Sequence, residues 1–136
     1  MSATDVSAIV TGVDFVSVPT QDLERAVEFY GSTLGLHRSM YKPDRNLAEF
    51  ETGTVTLSVV NPERMGICSF KPNSNHLALH VEDVASARAT LEERGVSFMG
   101  DTFDTGVCRM AFFADADGNM LMLHHRYAPR VPEGAG

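Results

Sequence analysis

The chain repeats itself. Val13-Asp14-Phe15-Val16-Ser17-Val18, running on to Gln21-Asp22-Leu23, aligns with Ser74-Asn75-His76-Leu77-Ala78-Leu79, running on to Glu82-Asp83-Val84, at a constant offset of 61 positions. Phe15 thereby falls on His76, Pro19 on His80, Asp22 on Asp83 and Ala26 on Ala87. Such a repeat constrains the fold more than any single element does. Each copy must form the same supersecondary unit, and one unit alone cannot cover both faces of its sheet.

The local signals give each unit the order βαβββ. Val13–Val18 is short, β-branched and aromatic, and predicts a strand. Asp22 predicts the N-cap of a helix over Leu23–Leu34, because Leu23, Ala26, Val27, Tyr30 and Leu34 recur at three- and four-residue steps. Gly35 predicts its end. Strands are predicted at Leu36–Tyr41, Leu47–Glu51 and Thr54–Val60, with Thr52-Gly53 as the turn between the last two. In the second unit a strand over His76–Val81 precedes a helix over Val84–Arg94, capped by Asp83 and ended by Gly95. Strands at Ser97–Met99, Val107–Ala114 and Asn119–His125 follow, with Asp115-Ala116-Asp117-Gly118 as the last turn. The chain thus divides into a loose arm (1–12), a first module (13–60), a linker (61–75), a second module (76–127) and a mobile tail (128–136). The fold class is α+β.

The 136 residues are enough to bury a core without disulfide or metal staples. A net charge of −7 argues against nucleic acid and anionic membrane as partners, since both need clustered Lys and Arg. The two cysteines, Cys68 and Cys108, lack CxxC spacing and are expected as free thiols in a reducing cytoplasm. The N-terminus has no basic segment followed by an apolar run, so neither a secretion signal nor a membrane span is expected. No paired-carboxylate, Ser/His/Asp, phosphate-loop or dinucleotide signature is present.

Three motifs carry a family resemblance. Asp22-Leu23-Glu24-Arg25-Ala26-Val27-Glu28-Phe29-Tyr30, followed by Thr33-Leu34-Gly35-Leu36, resembles the opening run of the vicinal-oxygen-chelate superfamily, which holds glyoxalase I, bleomycin-resistance proteins and extradiol dioxygenases. Asn75-His76-Leu77-Ala78-Leu79-His80-Val81 is similar to the strand that opens its second module. Asp115-Ala116-Asp117-Gly118-Asn119 is similar to its turn before the last strand. The resemblance spans about residues 13–125. It implies two tandem βαβββ modules whose curved mixed sheets form an open barrel around a cleft. It also implies a small-molecule ligand and a homodimer.

Metal-dependent members of that superfamily place one ligand on the first and last strand of each module. The resemblance puts those four positions on Phe15, Ser58, His76 and Met122. Only His76 matches a ligand type, so no resident metal is expected. Fe, Mn, Ni, Zn or Mg would suit the family set if an unconventional one formed. The cleft is expected to be lined by Phe15, Ser58, His76, Met122, His124 and Arg109. Period-two alternation places Met120, Met122 and His124 on one face and sends His125 to the other. His76 is either a vestigial ligand, a polar handle in the cavity or a satisfied histidine. Met120 and Met122 either line an adaptable pocket or pack the sheet. Arg109 either binds an anionic group or pairs with a carboxylate, and Cys108 is expected to be buried and inert. Glu49 and Glu51 are the nearest carboxylates to the first-module positions. Three functions follow: foremost a metal-free small-molecule binding protein, then a metal-dependent lyase, isomerase or dioxygenase, and last a stand-alone structural or regulatory module with no ligand.

Overall fold

In the computed structural model, which describes residues 7–131, both repeats form the same unit, with one register repeated twice. The first sheet has the order β1-β4-β3-β2 and the second β5-β8-β7-β6. The strands are β1 (Phe15–Pro19), β2 (His37–Lys42), β3 (Leu47–Glu51), β4 (Thr56–Val60), β5 (Leu77–His80), β6 (Phe98–Asp104), β7 (Cys108–Ala114) and β8 (Met120–Arg126). In each sheet one parallel pair, β1·β4 or β5·β8, joins an otherwise antiparallel set. The sheets are curved but not closed into a barrel.

The core is also built twice from equivalent residues. Ala48 lies opposite Val59 and Phe50 opposite Leu57 in the first sheet. Ala111 lies opposite Leu123 and Phe113 opposite Leu121 in the second. All eight are buried in one cluster with Ala26, Tyr30, Val84 and Leu91 from the helical segments. Full burial of a side chain such as Phe50 stabilises by about 1.5–3 kcal/mol. The two modules thus share a core through the helix-bearing sides of their sheets.

The helices α1 (Leu23–Glu28) and α2 (Val84–Glu93) start alike. The Asp22 carboxylate accepts the Arg25 amide at 3.1 Å, and Asp83 accepts that of Ser86 at 3.0 Å. Each satisfies an amide that the helix leaves without a partner. They end differently. The α1 segment was expected to run regularly to Leu34, but from Phe29 to Thr33 it widens into one π-helical turn, closed by Leu34 N–H to Phe29 O at 2.9 Å. Gly35 (φ 76°) and Gly95 (φ 91°) then supply the left-handed residue after each helix.

Most strand ends differ from expectation by one or two residues, β4 for example beginning at Thr56 and not at Thr54. The first strand begins at Phe15 rather than Val13, because pairing with β4 begins at Phe15 opposite Thr56. Likewise β5 begins at Leu77, opposite Leu121, and not at His76. Strand β6 runs to Asp104 instead of stopping at Met99, with a bulge between Met99 and Phe103 that takes up Gly100-Asp101-Thr102. Residues 7–12 and 61–75 contain no helix or strand. The rest of the expected arm (1–6) and tail (132–136) lie outside the described residues. No helix among the described residues is long and apolar enough to cross a membrane.

The modules are joined by polar contacts at the β7–β8 turn. Tyr30 donates its hydroxyl to Asp115 at 2.6 Å, and both residues are buried. Asp115 also accepts the amides of Asp117 and Asn119, each at 2.9 Å, and the Asn119 side-chain amide at 2.8 Å. The Asp117 carboxylate accepts from the Thr20 hydroxyl, the Gln21 amide and the Arg25 guanidinium at 2.6–2.9 Å. Burial first, then the Asp115 carboxylate, hold the Tyr30 phenol far above its ordinary pKa, so it stays a donor.

Candidate functional site

Because the helix-bearing sides are spent on the shared core, the opposite sides of both sheets are what the chain has left to offer a ligand. On the first sheet that side carries Phe15, Ser17, Thr56, Ser58, Glu49 and Glu51, as the ladder partners require. Phe15 is 55% exposed although it is aromatic. Ser58 is buried between Ser17 and Glu49. Glu51 accepts from the Ser39 hydroxyl at 2.5 Å and the Thr56 hydroxyl at 2.6 Å. Those two bonds, Ser39's foremost, lower its pKa. Each of its oxygens thus already accepts one hydrogen bond.

On the second sheet the same side carries Met122 at its centre, with Ala78 across one ladder and Phe112 across the other. His76 packs its ring edge-on to Phe112, centroids 4.8 Å apart. It also borders a cavity of about 400 Å³ lined by Val16, Val18, Asn119 and Leu121. His124 lies opposite Met110, and Met120 opposite Ala114. His76, Met122 and His124 thus share one apolar, methionine-rich surface. Phe15 and Ser58 stand on the equivalent surface of the other module.

Arg109 stands apart from them. It projects from the other side of β7, where it stacks over the Tyr127 ring at 5.0 Å and meets Asp104 at 3.5 Å. The cation on the methionine side is Arg126, which the sequence reading missed. It lies opposite Cys108, with Nη1 3.9 Å from the thiol sulfur and its Nε buried without a hydrogen-bond partner. A buried guanidinium donor without a partner is costly and suits an acceptor brought by a ligand. Phe112 was also missed. Counting in twos from the apolar Ala111 and Phe113 would have turned it toward Met122. Cys108 is buried, as expected.

The donor set does not fit the metal that the family type would hold. Phe15 has no donor atom, Ser58 offers a neutral hydroxyl and Met122 a soft thioether, against one imidazole at His76. The described surface can instead enclose an apolar ligand between aromatic and methionine side chains, with His76, His124 and Arg126 as polar contacts.

Comparison with known proteins agrees with this architecture. The description of the glyoxalase/bleomycin resistance protein/dioxygenase superfamily matches residues 12–123. TnmS3, an antibiotic binding protein from Streptomyces sp. CB03234, is 29% identical, with a TM-score of 0.73 over 88% of this chain and 99% of its own. A glyoxalase/bleomycin resistance protein from Streptomyces sp. CB03234 is 30% identical, with a TM-score of 0.67 over 85% of this chain and 100% of its own. Lactoylglutathione lyase from Agrobacterium tumefaciens shares the fold at 16% identity, with a TM-score of 0.73 over 85% and 93% of the two chains. No curated protein sequence is significantly similar to the chain. The motifs, the doubled βαβββ register and the match over 12–123 together make this chain a member of the glyoxalase/bleomycin resistance protein/dioxygenase superfamily.

Proposed function

We propose that the protein binds a small apolar molecule without a resident catalytic metal; an antibiotic binding protein is among the structures it is similar to. The carrying observation is the side chains at the four family positions, where Phe15, Ser58 and Met122 replace donors with an aromatic ring, a hydroxyl and a thioether. The ligand lies between the Phe15 surface of one module and the Met122 surface of another. These two surfaces face away from the core that the modules share within one chain. A second copy of the chain therefore completes the cleft, and the protein acts as a homodimer. Arg126, His76 and His124 set the polarity that the ligand must match.

A metal-dependent lyase, isomerase or dioxygenase is the second reading. Glu49 favours it, because it lies opposite Ser58 on the same face and could replace that position with a carboxylate.

The test is a thermal-shift screen of flat aromatic compounds, cationic ones included, on metal-stripped protein. A ligand at a hundred times its Kd adds about 2.7 kcal/mol to folding stability. The expected result is a hit that raises Tm without any added ion and fails in Phe15→Ala and Met122→Ala. A hit that requires a divalent ion and is lost in Glu49→Gln and His76→Gln overturns the metal-free reading.

A further inference from the structure

Where β5 ends, the strand places two imidazoles and a carboxylate together. The His80 Nε2 lies 3.2 Å from the Glu82 Oε1. The His125 ring comes within 5.7 Å of the His80 ring, centroid to centroid. One donor atom from each of His80, Glu82 and His125 can be chosen so that all three lie within 4.8 Å of one another.

The backbone beneath them is fixed. Val81 N–H donates to His124 O at 3.0 Å, extending the β5·β8 pairing. The Val81 carbonyl lies 3.1 Å from His125 Nδ1. A carbonyl only accepts, so Nδ1 carries the proton and Nε2 keeps its lone pair in the neutral ring. This is the outer hydrogen bond that orients a metal-binding imidazole.

We infer that His80, Glu82 and His125 bind a first-row divalent cation such as Zn²⁺. Two imidazoles and one carboxylate suit Zn²⁺, Ni²⁺, Co²⁺ or Cu²⁺ and disfavour Mg²⁺ or Ca²⁺. At metal–donor distances of about 2.0–2.2 Å, tetrahedral donors stand about 3.3–3.6 Å apart. The His80–Glu82 pair, at 3.2 Å, is already close to that spacing. The His80 and Glu82 side chains are 63% and 88% exposed, so both can swing the remaining distance toward His125. The same exposure leaves the fourth position to water or an outside ligand. The site is separate from the family position: His76 lies four residues back on the strand path, about 13 Å away. It stands instead at the rim of an apolar cavity of about 430 Å³ between the modules, which His80 and Val81 border with Leu34, Leu36, Leu91 and Arg94.

The test titrates untagged protein with Zn²⁺ by calorimetry. One ion per chain is expected, with affinity reduced at least about tenfold in His80→Gln and in His125→Gln. His76→Gln and His124→Gln should bind as the parent does. As a readout on the unmodified chain, substoichiometric Cu²⁺ should broaden the ring proton signals of His80 and His125 before those of His37, His76 and His124. Absence of Zn²⁺ binding, undiminished binding in His80→Gln and His125→Gln, or first broadening at His76 would overturn the proposal. The first two of these results leave the reading of the Phe15 and Met122 surfaces untouched, whereas first broadening at His76 would count against its metal-free form as well.

Discussion

The turn between β3 and β4 and the turn between β7 and β8 hold equivalent places in the two modules, yet their polar groups point to different partners. In the first, Thr52 closes the turn on itself, its hydroxyl donating to Val55 O at 2.6 Å and accepting the Val55 amide at 3.0 Å. Nothing in that set reaches beyond the turn. In the second, Asp115 and Asp117 reach across to Tyr30, Thr20, Gln21 and Arg25 of the other module. Asn119 adds a bond from its side-chain amide to Pro19 O at 2.8 Å and accepts the Asn73 amide at 2.8 Å. Duplicated modules can keep one backbone register while assigning a turn either to itself or to its neighbour, and the side chains decide which.

Breaking the cross-module turn should have the largest effect. Asp115→Ala removes the acceptor for one phenol, two backbone amides and one side-chain amide, leaving several buried donors unpaired. We expect a loss of about 3–5 kcal/mol in chemical denaturation. A loss below 1 kcal/mol would show that the junction contributes little.

Tyr30→Phe deletes one of those bonds and should cost about 1–2 kcal/mol at neutral pH. Its sharper signature is alkaline. The phenol pKa is raised in the folded chain, so its stabilising contribution is complete below the ordinary tyrosine value of about 10. Above that pH the unfolded chain releases the proton and the folded chain retains it. Stability should then fall by about 1.4 kcal/mol per pH unit from this group. Tyr30→Phe should lose that share of the decline, and identical slopes in the two proteins would refute the assignment.

Thr52→Ala should be the mildest change, about 0.5–1 kcal/mol, with no alkaline signature. A cost matching that of Asp115→Ala would erase the distinction between the turns.

Much of this architecture was legible in the chain. The offset of 61 gave two βαβββ units, and alternation along β8 correctly separated His124 from His125. Both helix caps were readable, since Asp22 and Asp83 precede apolar periodicity. What stayed hidden involved residues distant in sequence or masked by composition. Tyr30 read only as part of an apolar stripe, because its partner Asp115 is 85 positions away. The bulge in β6 was invisible because Gly100-Asp101-Thr102 looks like a turn. Arg109 drew attention as the cation beside an apolar run, while Arg126 was passed over at the strand's end. Alternation along β8 carries Arg126 onto the Met122 face, but it takes the observed register to put Arg109 on the other.

The π-helical turn at Phe29–Thr33 has a meaning for the repeat itself. Asp22 and Asp83 are 61 positions apart, as are Tyr30 and Leu91, but Gly35 and Gly95 are 60 apart. The closing bond tells the same story: Leu36 N–H reaches back six residues to Tyr30 O, whereas Val96 N–H reaches back five to Leu91 O. The first helix thus holds one residue more than its counterpart, inserted between Tyr30 and Gly35 and absorbed as a widened turn. Insertions absorbed in this way leave the flanking strands in step, so two copies of a unit can drift in length while their sheets remain superimposable.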